Sequence, residues 1–139
     1  MNLDGLVRFY KDLSPEDLAR FPEFYSADAC FKDPFNEVRG VDAIQRIFAH
    51  MFGQVSEPRF HVTDQWQSEK GAVLLWDFTF RMKRGPTSLQ SIHGATHLRF
   101  ATDGRVNSHR DYWDAAEELY EKLPLIGVLM RLLRRMMSS

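Results

Sequence analysis

The 139-residue sequence lacks most of the features on which common functional sites are built. It has one cysteine, Cys30, which excludes an internal disulfide and any multi-cysteine metal site. Its formal net charge is −1, so no overall positive charge attracts nucleic acid or lipid. It contains no glycine-rich phosphate loop, no Gly-x-Ser-x-Gly motif and no metal-binding signature. We therefore expect no cofactor, no bound metal and no nucleic-acid partner.

We expect neither a targeting segment nor a membrane-spanning segment. The N-terminal residues have neither the basic region nor the long apolar run of a signal peptide. The longest wholly apolar run, residues 123–130, contains Pro124 and Gly127 and is too short to cross a bilayer. A cytoplasmic location is the expectation that follows.

What the sequence does contain is a clear order of helices, strands and a helical tail. Apolar residues at intervals of three and four predict a helix near the N-terminus, and a second helix with Ser14 as N-cap and Pro15 in its first position. A third helix is predicted over residues 42–53. An apolar period of two then predicts strands over residues 59–66, 73–82, 89–100 and 105–113, after a short strand over 29–33.

This separation of helices from strands predicts an α+β fold, in which the helices pack across one face of a curved antiparallel sheet. Such a sheet forms a cone with an interior pocket at its open end. We expect residues 1–114 to form one domain and residues 115–139 to form a helical extension packed on it.

The predicted extension is basic as well as amphipathic. Between residues 122 and 139 it carries Lys122, Arg131, Arg134 and Arg135 and no acidic residue. Such a helix can pack its apolar side on the domain, which is the main expectation. It can also contact a partner or lie on an anionic membrane surface.

The last predicted strand carries an unusual number of polar side chains, with the sequence Val-Asn-Ser-His-Arg-Asp-Tyr-Trp-Asp over residues 106–114. His109, Asp111 and Trp113 fall on one face of this strand, because successive side chains point to opposite sides. If that face is interior, the Asp111 carboxylate can orient the imidazole of His109 or a water molecule. A polar pair that only stabilises the end of the sheet is the alternative.

A row of large apolar side chains marks the predicted strand over residues 73–82. Trp76, Phe78, Phe80 and Met82 share one face of it. This row predicts core and pocket wall rather than a cofactor-binding surface. A cavity with aromatic walls and a few polar groups suits a flat, apolar ligand.

The order of elements and two motifs resemble the nuclear transport factor 2-like superfamily, in its SnoaL-like and ketosteroid-isomerase-like branch. The first motif is Tyr-Ser-Ala-Asp-Ala-Cys-Phe-Lys-Asp-Pro-Phe at residues 25–35, followed by Gly40 and a helix. It is similar to a pattern in ketosteroid isomerases, where the aspartate before the proline is the general base. Asp33 matches that aspartate. Its alternative role is to cap the turn at Pro34 through nearby backbone amides.

The second motif, Arg-Asp-Tyr-Trp-Asp at residues 110–114, resembles the last strand of limonene epoxide hydrolases. Asp111 matches a catalytic aspartate there. The resemblance also places Thr96 where ketosteroid isomerases have a protonated aspartate, and Tyr10 within one residue of their tyrosine donor. Asp77 and Thr79 stand where the hydrolases have an arginine and an aspartate.

The resemblance implies a protein that binds a small apolar molecule and performs cofactor-free proton transfer, as an isomerase, a cyclase or an epoxide hydrolase does. Asp33 is the expected general base, and His109 and Asp111 are its acid or water-orienting partners. The expected pocket residues are Tyr10, Trp76, Phe78, Phe80, Thr96 and Trp113. A non-catalytic ligand-binding or assembly module of the same fold is the alternative.

The resemblance further implies a homodimer that forms through the outer face of the sheet, near Gln90 and Arg99. His93 and His97 lie on that face by the same alignment. They stand roughly 13 Å apart along one strand, at about 3.3 Å per residue, which is too far for both to bind one metal ion.

Overall fold

The computed structural model describes residues 2–84, 88–115, 117–118 and 134–136 of the chain. The elements in chain order are α1 (Leu3–Lys11), a 3-10 helix (Pro15–Arg20), α2 (Phe21–Phe24), β1 (Tyr25–Lys32), β2 (Glu37–Arg39), α3 (Val41–Gln54), β3 (Val55–Ser68), β4 (Gly71–Met82), β5 (Gln90–Phe100) and β6 (Val106–Tyr112). Residues 134–136 are helical, whereas most of the predicted tail, residues 119–133 and 137–139, lies outside the described residues.

The six strands form one sheet in the order β2-β1-β6-β5-β4-β3. The predicted α+β fold is confirmed, with one correction: β1 and β6 pair in parallel, while the other neighbours are antiparallel. Register shifts interrupt several pairs, between Val62 and Asp64 for example. Such bulges bend a strand and increase its twist, which produces the curvature. The sequence pattern predicts no strand between residue 33 and α3, but β2 lies there and pairs with β1.

Local chemistry determines where the first helices begin. The side chain of Asn2 accepts a hydrogen bond from the backbone N–H of Gly5 at 2.9 Å, which caps α1. The carboxylate of Asp17 accepts hydrogen bonds from the backbone N–H and the hydroxyl of Ser14, both at 3.0 Å. The second helix therefore begins at the predicted cap, as a 3-10 turn. Gly40 has φ 102°, a conformation that favours glycine, where the chain passes from β2 into α3.

The core lies between α3 and one face of the sheet. α3 buries Val41, Ile44, Ile47, Phe48 and Met51, and β4 buries Leu74, Trp76, Phe78, Phe80 and Met82. Because side chains alternate along a strand, Asp77 and Thr79 point away from the core and are partly exposed. Within the described ranges, no helix is long and apolar enough to cross a membrane.

Candidate functional site

The site is built on the parallel pairing of β1 with β6. Phe31 is paired with His109 and Lys32 with Arg110, so Asp33 and Asp111 are the next residues along two adjacent strands. Neighbouring strands lie about 4.8 Å apart, and parallel strands bring equivalent side chains to the same edge. The two carboxyl groups that the two separate motifs predict therefore lie close together. Both line one cavity.

A chain of hydrogen bonds supports Asp111 from behind. The Nε2 atom of His109 lies 2.8 Å from Asp111 Oδ1, and the hydroxyl of Thr96 donates to the same oxygen at 2.6 Å. The indole N–H of Trp76 in turn donates to Thr96 Oγ1 at 2.7 Å. The other imidazole nitrogen, Nδ1, lies 2.7 Å from the hydroxyl of Tyr25.

Tyr10 completes this network through its contact with Tyr25. Its hydroxyl lies 2.5 Å from the hydroxyl of Tyr25. Burial raises the pKa of both tyrosines, so both keep their protons. If Tyr10 donates to Tyr25 and Tyr25 donates to Nδ1, the imidazole of His109 is neutral, with its proton on Nε2, and every donor is paired. A protonated imidazole would donate from Nδ1 and leave the Tyr10 hydroxyl proton without an acceptor.

Asp33 has two environments at once. Its Oδ1 atom accepts hydrogen bonds from the backbone N–H groups of Phe35 at 2.8 Å and Asn36 at 2.7 Å, which is the turn-capping role. It is also buried and lines the cavity. Burial, and then the nearby Asp111 carboxylate, raise the pKa of Asp33 to about 6, although the hydrogen bonds to Phe35 and Asn36 act in the opposite direction. A carboxyl group of this kind can exchange a proton near neutral pH.

The cavity that these carboxyl groups share is apolar and measures about 60 Å³. By this measure one water molecule needs roughly 10–15 Å³, so the space holds a few waters or one compact organic group. Its lining residues are Phe31, Asp33, Ile47, Phe48, Met51, Phe60, Trp76, Phe78, Phe80, Ile92, Asp111, Trp113 and Met136. A smaller chamber of about 20 Å³ adjoins it and is lined in part by Tyr10, Thr96 and His109.

All nine site residues that the sequence analysis named line either the larger cavity or the smaller chamber beside it. Asp33, Asp111, Trp76, Phe78, Phe80 and Trp113 line the larger cavity, and Tyr10, Thr96 and His109 line the smaller chamber. Trp113 packs edge-on against Phe35, with ring centroids 5.5 Å apart. Among the described residues, no group of His, Cys, Asp or Glu side chains has the arrangement of a metal site.

Sequence reasoning missed three contributors to the site. Tyr25 was part of a motif, but its contact with His109 depends on the parallel pairing of β1 and β6. Gly94 lies opposite Trp76, and a Cβ atom there would come within 2.5 Å of the indole ring. A glycine inside a strand is the signal that could have indicated this close approach. Met136 is buried against the cavity from the far end of the chain.

Comparison with solved structures finds the same fold in several bacterial proteins. A protein of the nuclear transport factor 2-like class from Burkholderia pseudomallei, of unknown function, has a TM-score of 0.73 at 18% identity, over 86% of this chain and 95% of its own. A ketosteroid isomerase-like protein from Catenulispora acidiphila, in complex with trimethylamine, has a TM-score of 0.69 at 17% identity, over 81% and 84%. A candidate SnoaL-like polyketide cyclase from Shewanella denitrificans has a TM-score of 0.67 at 20% identity, over 82% and 93%.

These structures are less than 25% identical to the chain and therefore show the fold alone. A comparison with curated protein sequences finds no match. The model of the SnoaL-like domain matches residues 6–109, which is most of the chain and includes Asp33 and His109. The protein belongs to the SnoaL-like domain family, within the nuclear transport factor 2-like fold.

Proposed function

We propose that the protein binds a small apolar molecule in the larger cavity and transfers a proton on it, with Asp33 as general base. The observation that carries this proposal is the shared position of Asp33 and Asp111 on the wall of one apolar cavity. The complex of the Catenulispora protein with trimethylamine supports a small-molecule ligand for this fold.

The proposed roles follow from the surroundings of each group. Above a pH of about 6, Asp33 is ionised and can take a proton from a carbon next to a carbonyl group, so that the C–H electron pair forms an enolate. Return of that proton to a different carbon completes an isomerisation, and the net reaction consumes no cofactor. Asp111, held at Oδ1 by Thr96 and His109, keeps Oδ2 for a hydrogen bond from a substrate hydroxyl or a water molecule.

The proposal can be tested before the natural substrate is known. Small cyclic ketones in D₂O lose their α-proton signals in proton NMR spectra when a base exchanges them. We expect the protein to accelerate this exchange and Asp33→Asn to remove the acceleration. The matched control is Asp77→Asn, on the partly exposed outer face. Equal exchange rates with the protein, the Asp33 variant and buffer would refute catalysis by Asp33.

A non-catalytic ligand-binding module is the second candidate. It is favoured by the use of Asp33 Oδ1 in the turn with Phe35 and Asn36, which gives this carboxylate a structural role. It is also favoured by Thr96, which stands where the resemblance expects a carboxyl donor. In that case small ketones bind the cavity, as line broadening would show, without exchange of their protons.

We also propose that two copies pair through the outer face of the sheet. Trp66, which is 53% exposed, and Tyr112, which is 49% exposed, are large side chains on this face that a second copy would cover. Analytical ultracentrifugation of the protein and of Trp66→Ser tests this proposal. A monomer at every concentration of the unchanged protein would contradict it.

We further propose that the C-terminal extension packs on the domain. Met136 is only 3% exposed and lines the cavity, which supports packing of the extension on the domain. A cytoplasmic location remains the expectation. Protease digestion that leaves the region around Met136 intact in the folded protein, but cleaves it in urea, would agree with a packed extension.

A further inference from the structure

The charges around the larger cavity are of one sign. Seven aromatic rings form most of its wall, from Phe31, Phe48, Phe60, Trp76, Phe78, Phe80 and Trp113. The two ionisable groups among its lining residues are the carboxyl groups of Asp33 and Asp111. No lysine, arginine or histidine belongs to the described lining. The cavity is therefore apolar in area but carries negative charge at one edge.

The residues behind the cavity offer at most one positive charge to these two carboxyl groups. In the described part of the chain, the titratable partner of Asp111 is His109, whose Nε2 atom lies 2.8 Å from Asp111 Oδ1 and whose Nδ1 atom lies 2.7 Å from the Tyr25 hydroxyl. Thr96, the other donor to Asp111, is neutral. The donors to Asp33 belong to Phe35 and Asn36 and carry no charge either. Placing two carboxylates in an apolar space with at most one cationic neighbour costs free energy, and a bound cation offsets that cost.

The aromatic walls of the cavity also favour a bound cation. The face of an aromatic ring carries negative charge density and attracts an organic cation within about 6 Å of its centre. A cavity of about 60 Å³ accepts a compact head such as an alkylated ammonium group. The same carboxylates and ring faces repel a carboxylate or a phosphate on the ligand.

We propose that the ligand carries a compact organic cation, a protonated amine or a quaternary ammonium group, which binds between the two carboxylates and the aromatic walls. This inference rests on the proposed ligand-binding function and names the class of ligand. The cation lies between Asp33 and Asp111 and against the ring faces, so both carboxylates attract it. Neutral molecules of the same shape bind more weakly, and anions do not bind.

Three probes of similar size and different charge test the inference. Tetramethylammonium is the cation, tert-butanol the neutral probe and pivalate the anion. Each is titrated into the full chain, with Kd taken from NMR shifts of the indole N–H signals of Trp76 and Trp113. We expect tetramethylammonium to bind at least about tenfold more tightly than tert-butanol, and pivalate to cause no shift.

Variants connect the preference to the two carboxyl groups. Asp33→Asn and Asp111→Asn keep the size of each side chain and the Oδ1 acceptor. Each should reduce tetramethylammonium affinity about tenfold and tert-butanol affinity much less, because a neutral probe loses at most one hydrogen bond. Asp77→Asn, on the outer face, should change neither. If one variant does not fold, as judged by circular dichroism, the other still measures the charge effect.

The possible failures are distinguishable. Binding of tert-butanol with an affinity equal to that of tetramethylammonium, or tighter binding of pivalate, overturns the charge preference and leaves the apolar pocket intact. Absence of binding by all three probes overturns the charge preference and the proposed pocket together. Tetramethylammonium shifts confined to Trp66 on the outer face overturn the location of the site.

Discussion

His109 and Asp111 form a buried hydrogen bond of 2.8 Å, and His93 and Asp77 form an exposed one of the same length on the opposite face of the sheet. The side chains of the buried pair are 5% and 17% exposed, and those of the exposed pair are 55% and 42% exposed. Both pairs join an imidazole to a carboxylate over the same distance. The difference between their contributions to the free energy of unfolding therefore measures the effect of burial.

We expect His109→Phe to lower the free energy of unfolding by about 2–3 kcal/mol, because Asp111 loses a buried donor and the Tyr25 hydroxyl loses its acceptor. His93→Phe should change it by less than about 0.5 kcal/mol, since water replaces the exposed partner. Urea unfolding of both variants measures the contrast. Similar losses in the two variants would contradict the buried network.

The pKa of Asp33 predicts how stability depends on pH. Its value of about 6 in the folded protein is above the ordinary value of 3.8, so the folded state binds a proton more tightly than the unfolded state does. The contribution of Asp33 is therefore most favourable below about pH 4, and it decreases as the pH rises to about 6. The total decrease is about 2–3 kcal/mol, at 1.36 kcal/mol per pKa unit.

Asp33→Asn should remove this contribution and make the variant more stable than the unchanged protein at pH 7, because an amide keeps the acceptor for Phe35 and Asn36 without the buried charge. Urea unfolding of both proteins from pH 4 to pH 8 gives the difference. A difference that does not vary with pH would show that the carboxyl group is not perturbed.

Gly94 should be one of the most sensitive glycines in the sheet. Gly94→Ala places a Cβ atom within 2.5 Å of the Trp76 ring, which must move and lose its hydrogen bond to Thr96. Overpacking of this kind costs about 1–3 kcal/mol. Gly53→Ala in α3 is the control, because nothing lies within 4 Å of its Cβ position and alanine favours a helix by up to about 1 kcal/mol. Thermal unfolding should show opposite shifts for the two variants.

Met136 limits the size of the cavity. We expect Met136→Ala to lower the free energy of unfolding by about 2 kcal/mol, near the lower end for buried methionine, because one side of the cavity already lacks packing atoms. The same variant should bind larger apolar ligands more tightly. Arg135→Ala, at an exposed neighbour, is the control. Loss of stability in both variants alike would indicate an effect on the helix rather than on the cavity.

Several parts of the fold and the site follow from local rules. Alternation along one strand is enough to place His109 and Asp111 on the same side, and the row from Trp76 to Phe80 on the inner face. The contact of Tyr25 with His109 is not predictable in this way, since it depends on which strands pair and in which direction. The size of the cavity cannot be predicted from local sequence either, because Met136, which lines it, lies far along the chain from the other lining residues.

The parallel pair of β1 and β6 has a consequence for how the molecule folds. Among the described residues β1 is the first strand and β6 is the last, and the sheet cannot be completed until these two strands pair. Long-range pairing of this kind slows folding, because the intervening chain must be closed before the contact gives any stability. During synthesis β1 has β2 on one side and an unpaired edge on the other until residue 112 has left the ribosome. The protein should therefore depend on late steps of synthesis to avoid aggregation through that edge.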